Sequence, residues 1–188
     1  MDARLKDRLF YRAAPLAVLA AGLLVAAADY WEWRDVPKDM ERGMAAFGRQ
    51  DFAAAIRDFS KAQQHGETDI LARLMLGASF HEYGWQDEAL REYDTVVGLA
   101  RDNGARAAHS AARIWASRRD YPNALRCFDT ALRFAPDAAP IWHESGQACM
   151  AMGDAAGALR RFEQAAKLAP NNSLYRQETE QAAKQLQK

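Results

Sequence analysis

The sequence predicts an all-α protein, a solenoid of helical hairpins preceded by a single N-terminal transmembrane helix. Three observations support this fold class. The 188 residues include 40 alanines, and alanine favours helices and lets them approach closely. Residues 36–172 show an internal period of 34 residues, which is typical of stacked helical hairpins. Near the N-terminus, residues 13–28 form an apolar run without charge.

The N-terminal segment indicates a membrane anchor. Residues 1–12 form a basic flank, and the apolar run that follows has 16 residues. As a helix the run would rise about 24 Å, slightly less than the ~30 Å hydrocarbon core of a bilayer. The predicted anchor covers residues 13–31 and is followed by a linker at 32–35. Side chains suited to the two membrane interfaces flank the apolar run, and they are Tyr11, Arg12, Tyr30, Trp31 and Trp33. The basic flank predicts a cytoplasmic N-terminus.

Two alternatives remain open for the same segment. Ala26-Ala27-Ala28 fits the small-x-small pattern of signal-peptide cleavage, and cleavage after Ala28 would release a soluble secreted binding module. The other alternative keeps the anchor but packs it against further transmembrane helices of a larger complex. Ala20, Ala21 and Gly22 are small enough for such close contact in lipid.

The repeat has four copies, 36–69, 70–103, 105–138 and 139–172, with Gly104 as an extra residue. Each copy is predicted to form two helices, joined at Gln50-Asp51, Tyr83-Gly84, Arg119-Asp120 and Gly153-Asp154. Three columns are filled in every copy: small residues at Gly43, Gly77, Ala112 and Gly146; alanine at Ala55, Ala89, Ala124 and Ala158; and aromatic residues at Phe59, Tyr93, Phe128 and Phe162. The aromatic ring fills the space beside the small residue, and neighbouring hairpins must stack to bury their apolar faces.

The last segment, 173–188, is predicted to be a polar capping helix. Leu174, Ala182 and Leu186 would form its buried stripe. Such a helix would cover the apolar side of the final repeat.

The repeat pattern resembles the tetratricopeptide repeat (TPR) family. The resemblance implies that the first helix of each hairpin lines a groove that binds a protein or peptide partner. The residues that it places in the groove are Met40, Met44, Phe47, Leu71, Leu74, His81, Glu82, Arg106, His109, Arg113, His143, Gln147 and Met150. Alternatively, Met40, Met44 and Phe47 pack against the linker that follows the anchor.

The resemblance also implies a cellular role. Bacterial TPR proteins with one N-terminal anchor often serve cell-envelope assembly. We therefore expect an inner-membrane scaffold with a cytoplasmic N-terminus, periplasmic repeats and residues 13–28 in the bilayer.

No catalytic motif accompanies the repeats. The sequence lacks HExxH, GxSxG, Walker and Rossmann patterns, so no enzymatic activity, cofactor or small-molecule substrate is expected. A metal site is not predicted either, because His81, His109 and His143 would have to converge from separate helices.

The charge balance excludes another class of partner. The 25 basic and 25 acidic residues argue against a nucleic-acid binder. The balance hides two opposite bands, because copy 70–103 carries 3 basic and 6 acidic residues whereas copy 105–138 carries 6 and 3. Such bands would help neighbouring repeats to stack or orient a partner.

Cys127 and Cys149 fall in adjoining predicted helices, at nearly equal distances from the junction of copies three and four. Antiparallel packing of these helices would bring the two residues close, and a disulfide would be possible in an oxidising compartment. The alternative is that both residues act as small buried apolar side chains.

Overall fold

The computed structural model describes residues 38–63, 69–99 and 101–187, and its regular elements there are α-helices. The chain divides into two compact units, Met1–Gly84 and Trp85–Lys188. In the first unit the helices are α1 (Lys38–Gly48), α2 (Phe52–Gln63) and α3 (Asp69–Tyr83). In the second they are α4 (Gln86–Leu99), α5 (Arg101–Ser117), α6 (Tyr121–Phe134), α7 (Ala139–Ala151), α8 (Ala155–Leu168) and α9 (Ser173–Leu186).

The predicted membrane anchor, 13–31, lies outside the described residues, as do the interfacial side chains Tyr11, Arg12, Tyr30, Trp31 and Trp33. Within 38–63, 69–99 and 101–187, no helix combines the length and the apolar character needed to cross a bilayer.

The four turns predicted inside the repeats are confirmed. Each contains one residue with positive φ, at the same position of the 34-residue pattern. Gly84 and Gly153 have φ of 97° and 81°, whereas Gln50 and Arg119 have φ of 62° and 60°. Glycine adopts this left-handed conformation at little cost, and residues with a Cβ do not.

Aspartate follows the left-handed residue in three of these turns and caps the next helix. In each case Oδ1 accepts a hydrogen bond from the backbone N–H three residues on, over 3.1 Å at Asp51, 3.2 Å at Asp120 and 2.8 Å at Asp154. Pro122 lies in the first turn of α6, where a helix needs no backbone donor. Together these residues define where each second helix begins.

The core uses the repeat columns as predicted. The four residues of the aromatic column are at most 2% exposed, and the four residues of the alanine column are fully buried. In the first unit, a Cβ added at Gly43 would lie 2.6 Å from the ring of Phe59. In the second unit, the same distance separates a Cβ at Gly146 from the ring of Phe162. The small residue therefore lets the two helices of a hairpin close around the aromatic ring.

Two elements differ from the sequence prediction. Helix α5 begins at Arg101 rather than at the start of copy 105–138, so the extra residue Gly104 is absorbed into a longer helix. Gly104 is buried, and a Cβ there would lie 3.0 Å from the ring of Phe134. Glycine thus permits the longer helix to pack closely on α6.

Helix α9 forms as predicted, but its buried face is different. Tyr175 and Ala182 are 8% and 0% exposed, whereas Leu174 and Leu186 are 48% and 49% exposed. The predicted stripe is therefore wrong for the two leucines. Leu174 lies about 100° around the helix from Tyr175, and Tyr175 takes the place against the preceding hairpin together with Ala139 and Ala165.

Candidate functional site

Two His–Glu pairs connect the first helices α5, α7 and α9 of the second unit. His109 Nε2 lies 3.0 Å from Glu144 Oε2. The contact recurs 34 residues later, between His143 Nε2 and Glu178 Oε2. In both pairs the histidine belongs to one first helix and the glutamate to the next. Helix α9 therefore takes the place that the first helix of another repeat would have.

Aromatic rings lie beside both imidazoles. The His109 ring centroid lies 6.0 Å from that of Phe128, and the His143 centroid lies 5.8 Å from that of Phe162. Tyr175 of α9 is closer to His143, at 4.6 Å. Only 9% of His143 is exposed. The pairs thus lie between the aromatic core and the solvent-facing surface of the first helices.

Two longer polar side chains flank the pairs at equivalent repeat positions. Arg113 Nε lies 3.8 Å from Glu144 Oε2, and 45% of the Arg113 side chain is exposed. Gln147 Nε2 donates a hydrogen bond to Glu178 Oε1 over 3.3 Å. Arg113 and Gln147 remain accessible on the surface while they contact the half-buried glutamates.

The electrostatic balance at Glu144 favours its charged form. Burial alone would raise the pKa of this carboxyl group. The hydrogen bond with His109 and the charges of His109, Arg113 and His143 outweigh burial and lower the pKa below its ordinary value of 4.5. Glu144 is consequently a carboxylate over the whole neutral range.

Arg106 provides a further positive charge on α5, one helical turn before His109. Its side chain is half-buried, and it forms no hydrogen bond or ion pair with another residue in the part of the chain that the structure describes. Arg106, His109 and Arg113 follow one another at spacings of three and four residues, so they share one face of α5.

Comparison with known proteins bears on the repeat and on the fold. A model of the tetratricopeptide repeat family matches residues 139–172, which include α7 and α8. The match covers the last of the four copies of the 34-residue repeat.

Solved structures share the TPR fold at low sequence identity. A crystal structure of MamA protein has a TM-score of 0.69 and 19% identity, covering 78% of this chain and 80% of that one. The structure of MamA from residue 41 to the end, from Desulfovibrio magneticus RS-1, has a TM-score of 0.64 and 17% identity, covering 81% of this chain and 93% of that one. A tetratricopeptide repeat protein from Parabacteroides merdae has a TM-score of 0.71 and 14% identity, covering 79% of this chain and 59% of that one. No curated protein matches the sequence significantly.

The groove residues implied by the TPR resemblance divide into two groups. In the second unit, Arg106, His109, Arg113, His143 and Gln147 lie on or beside the surface described above. Met150 is half-buried and packs against the cluster around Phe162.

In the first unit, several predicted groove residues belong to the core instead. Met40, Phe47 and Leu74 are 0%, 8% and 2% exposed, so their assignment to an accessible groove is corrected. Met44 and Leu71 are partly buried against the cluster that contains Met40 and Phe47. His81 is half-buried and Glu82 is exposed. The linker at 32–35, which was the alternative packing partner, lies outside the described residues.

Cys127 and Cys149 are free thiols, and the disulfide considered as one of two possibilities does not join them. Cys127 packs against the cluster of Phe128, whereas Cys149 belongs to the cluster of Phe162. Burial raises the pKa of both thiols, which disfavours the reactive thiolate. The alternative prediction, two small buried side chains, describes them better.

The opposite charge bands of copies two and three meet at Arg118. Its Nη1 lies 2.8 Å from Asp87 Oδ1 of α4, and its Nε donates to Gln86 Oε1 over 2.7 Å. The guanidinium also lies 5.4 Å from the ring centroid of Trp115. These contacts agree with a role of the bands in stacking adjacent TPR helices.

Sequence reasoning missed Glu144, Glu178 and Tyr175 as parts of the site. A signal was present, because His109 and His143 are one repeat apart and so are Glu144 and Glu178. Two residue types that recur together with the period of the fold indicate a contact that the fold repeats.

Proposed function

We propose that the chain is a non-enzymatic, membrane-anchored scaffold that holds a protein partner on the surface formed by α5, α7 and α9. The observation that carries the proposal is the set of polar side chains at equivalent positions of successive first helices, above all Arg113 and Gln147. A TPR scaffold binds through the shape of this surface and a few anchor residues.

The charges of this surface favour an acidic segment of the partner. Glu144 and Glu178 are already engaged by histidines, whereas Arg106 has no ionic partner among the described residues. Arg113 is only partly neutralised by Glu144 at 3.8 Å. Arginine binds carboxylates with two parallel hydrogen bonds, so the surface offers positive charge to a peptide that carries Asp, Glu or a C-terminal carboxylate.

Site-specific photo-crosslinking in native membranes tests the binding surface. A crosslinker at Arg113 or Gln147 should capture one partner reproducibly. Arg126 and Arg160 are exposed on the second helices α6 and α8, and crosslinkers there serve as matched controls. Equal capture from all four positions would argue against a binding surface on the first helices.

Charge reversal tests the preference for acidic partners. The double substitution Arg106→Glu with Arg113→Glu should reduce capture of that partner by tenfold or more, an effect on the order of 1.4 kcal/mol. Arg133→Glu, an exposed position on α6, should leave capture unchanged. If both variants bind like the wild type, the partner is recognised by shape rather than by charge.

The membrane anchor and the role in a cell-envelope complex belong to the same proposal and rest on residues 1–35. The full chain should remain in the inner-membrane fraction after a high-salt wash and should retain Met1. A mature N-terminus at Asp29 would support the alternative, a secreted periplasmic module. Copurification of other membrane proteins in mild detergent would identify the chain as a subunit of a larger complex.

A further inference from the structure

The His–Glu pairs occur at one repeat position and only in part of the described chain. The positions equivalent to His109 and His143 are Met40 in α1 and Leu74 in α3, and both of these side chains are buried and apolar. In the second unit, the same position carries an imidazole that contacts a carboxylate of the next helix in the series α5, α7 and α9. The side chain at this repeat position is therefore apolar in the first unit and ionisable in the second.

We propose that the pairs His109–Glu144 and His143–Glu178 form a pH-dependent link that holds α7 and α9 to the preceding first helices more firmly in mildly acidic than in alkaline solution. A hydrogen bond between imidazolium and carboxylate is stronger than one between neutral imidazole and carboxylate. Histidine gains its charge between about pH 8 and pH 5. The carboxylate partner must stay ionised in that range, and the lowered pKa of Glu144 satisfies this condition.

Each imidazole faces one carboxylate, and the positive charges nearby differ between the two pairs. The described contacts of His109 are Glu144 of α7 and the uncharged ring of Phe128 in α6. Arg113 reaches the same Glu144 oxygen, so part of the charge of this carboxylate is already neutralised. The first pair is therefore the less sensitive of the two to pH.

The neighbours of His143 carry fewer positive charges than those of His109. It contacts Glu178 of α9, and its charge is also felt by Glu144. Its other described neighbours are uncharged, namely Gln147, Phe162 and Tyr175. No cation contacts Glu178 among the described residues. Protonation of His143 thus creates an ion pair shielded from solvent, and α9 is the helix that gains most.

Hydrogen exchange of the full chain, followed by mass spectrometry, measures this link directly. After correction for intrinsic exchange rates, peptides from α9 should be protected about fivefold more at pH 6 than at pH 8, the ratio expected when a neutral hydrogen bond becomes a charged one. Glu178→Gln keeps the size of the side chain but removes its charge, and it should abolish this difference.

Asp129→Asn provides the matched control. Asp129 forms an ion pair with Arg161 over 2.8 Å between α6 and α8, and this pair contains no histidine. The variant should keep the full pH dependence of α9 protection. Equal protection of wild-type α9 at both pH values, or an unchanged pH dependence in Glu178→Gln, would overturn the proposal.

Discussion

Gln50 and Arg119 hold a left-handed backbone conformation at the turn where the equivalent residues are Gly84 and Gly153. The left-handed conformation costs a residue with a Cβ about 1 kcal/mol, and glycine avoids this cost. The turn is required by the hairpin, so the fold enforces it even where the residue is unfavourable.

We therefore expect Gln50→Gly and Arg119→Gly each to raise the free energy of unfolding by ~0.5–1 kcal/mol. This is the net effect, because the entropy that glycine adds to the unfolded chain offsets part of the strain that it removes. Gly153→Ala should lower it by about 1 kcal/mol. Urea unfolding followed by circular dichroism measures all three. Loss of stability in both glycine variants would mean that the side chains of Gln50 and Arg119 stabilise the turn.

Gly146 shows the opposite constraint, imposed by packing and not by φ. A Cβ there would lie 2.6 Å from the Phe162 ring, which is buried and cannot move without opening the core. Gly146→Ala should reduce the free energy of unfolding by ~1–3 kcal/mol through overpacking. Gly98→Ala in α4 is the control, since a Cβ there meets nothing within 4 Å, and it should be neutral or stabilising. Thermal unfolding of both variants tests the contrast.

At the scale of the element, Glu144 links α5 to α7 through His109. The pKa of this carboxyl group is lowered on folding, so its stabilising effect is present above the ordinary value of 4.5 and disappears as the pH falls through the lower, folded-state pKa. Glu144→Gln should cost about 1 kcal/mol of unfolding free energy at pH 7.

The difference between wild type and Glu144→Gln should shrink when unfolding is measured at successively lower pH below 4.5, the ordinary value. Glu163 on the exposed side of α8 is a suitable control, and Glu163→Gln should change stability little at any pH. A Glu144→Gln effect that stays constant down to pH 2 would show that the side chain acts by shape and not by charge.

The helices and the buried columns of the repeat were predictable from the sequence, because buried residues recur with the period of the fold. Phe59, Tyr93, Phe128 and Phe162 are spaced by that period, and each occupies the same kind of place in the core. The His–Glu pairs were not predictable in the same way. The partner of His109 lies 35 residues away, on a different helix, and its identity depends on how far each helix is rotated about its axis.

Some predictions failed for a related reason. Met40 and Leu74 occupy the repeat position of the histidines, but as apolar side chains they pack into the core. A repeat position fixes the place of a residue on its helix, while the chemistry of the side chain decides how deeply it is buried. The family pattern therefore predicted the face and not the accessible residues.

At the scale of the whole molecule, α9 determines how the last hairpin is covered. Ala182 is fully buried in the cluster of Cys149, Ala158 and Phe162. Ala182→Asp should destabilise the second unit by ~3 kcal/mol or more, because it buries an unpaired charge. Ala183→Asp, at a half-buried neighbour, is the matched control and should cost much less. Binding of a hydrophobic dye measures exposure of the cluster, and equal binding by both variants would contradict the role of α9.

The contacts of Arg118 have a consequence for proteolysis. Arg118 and Arg119 form an exposed dibasic site that trypsin would cut in an unfolded chain. In the folded chain this site lies in a tight turn between α5 and α6, and Arg118 is held by Asp87 and Gln86 of α4. Cleavage requires local opening of the turn, so the rate of digestion at Arg118 reports how often this turn opens and Arg118 leaves Asp87 and Gln86.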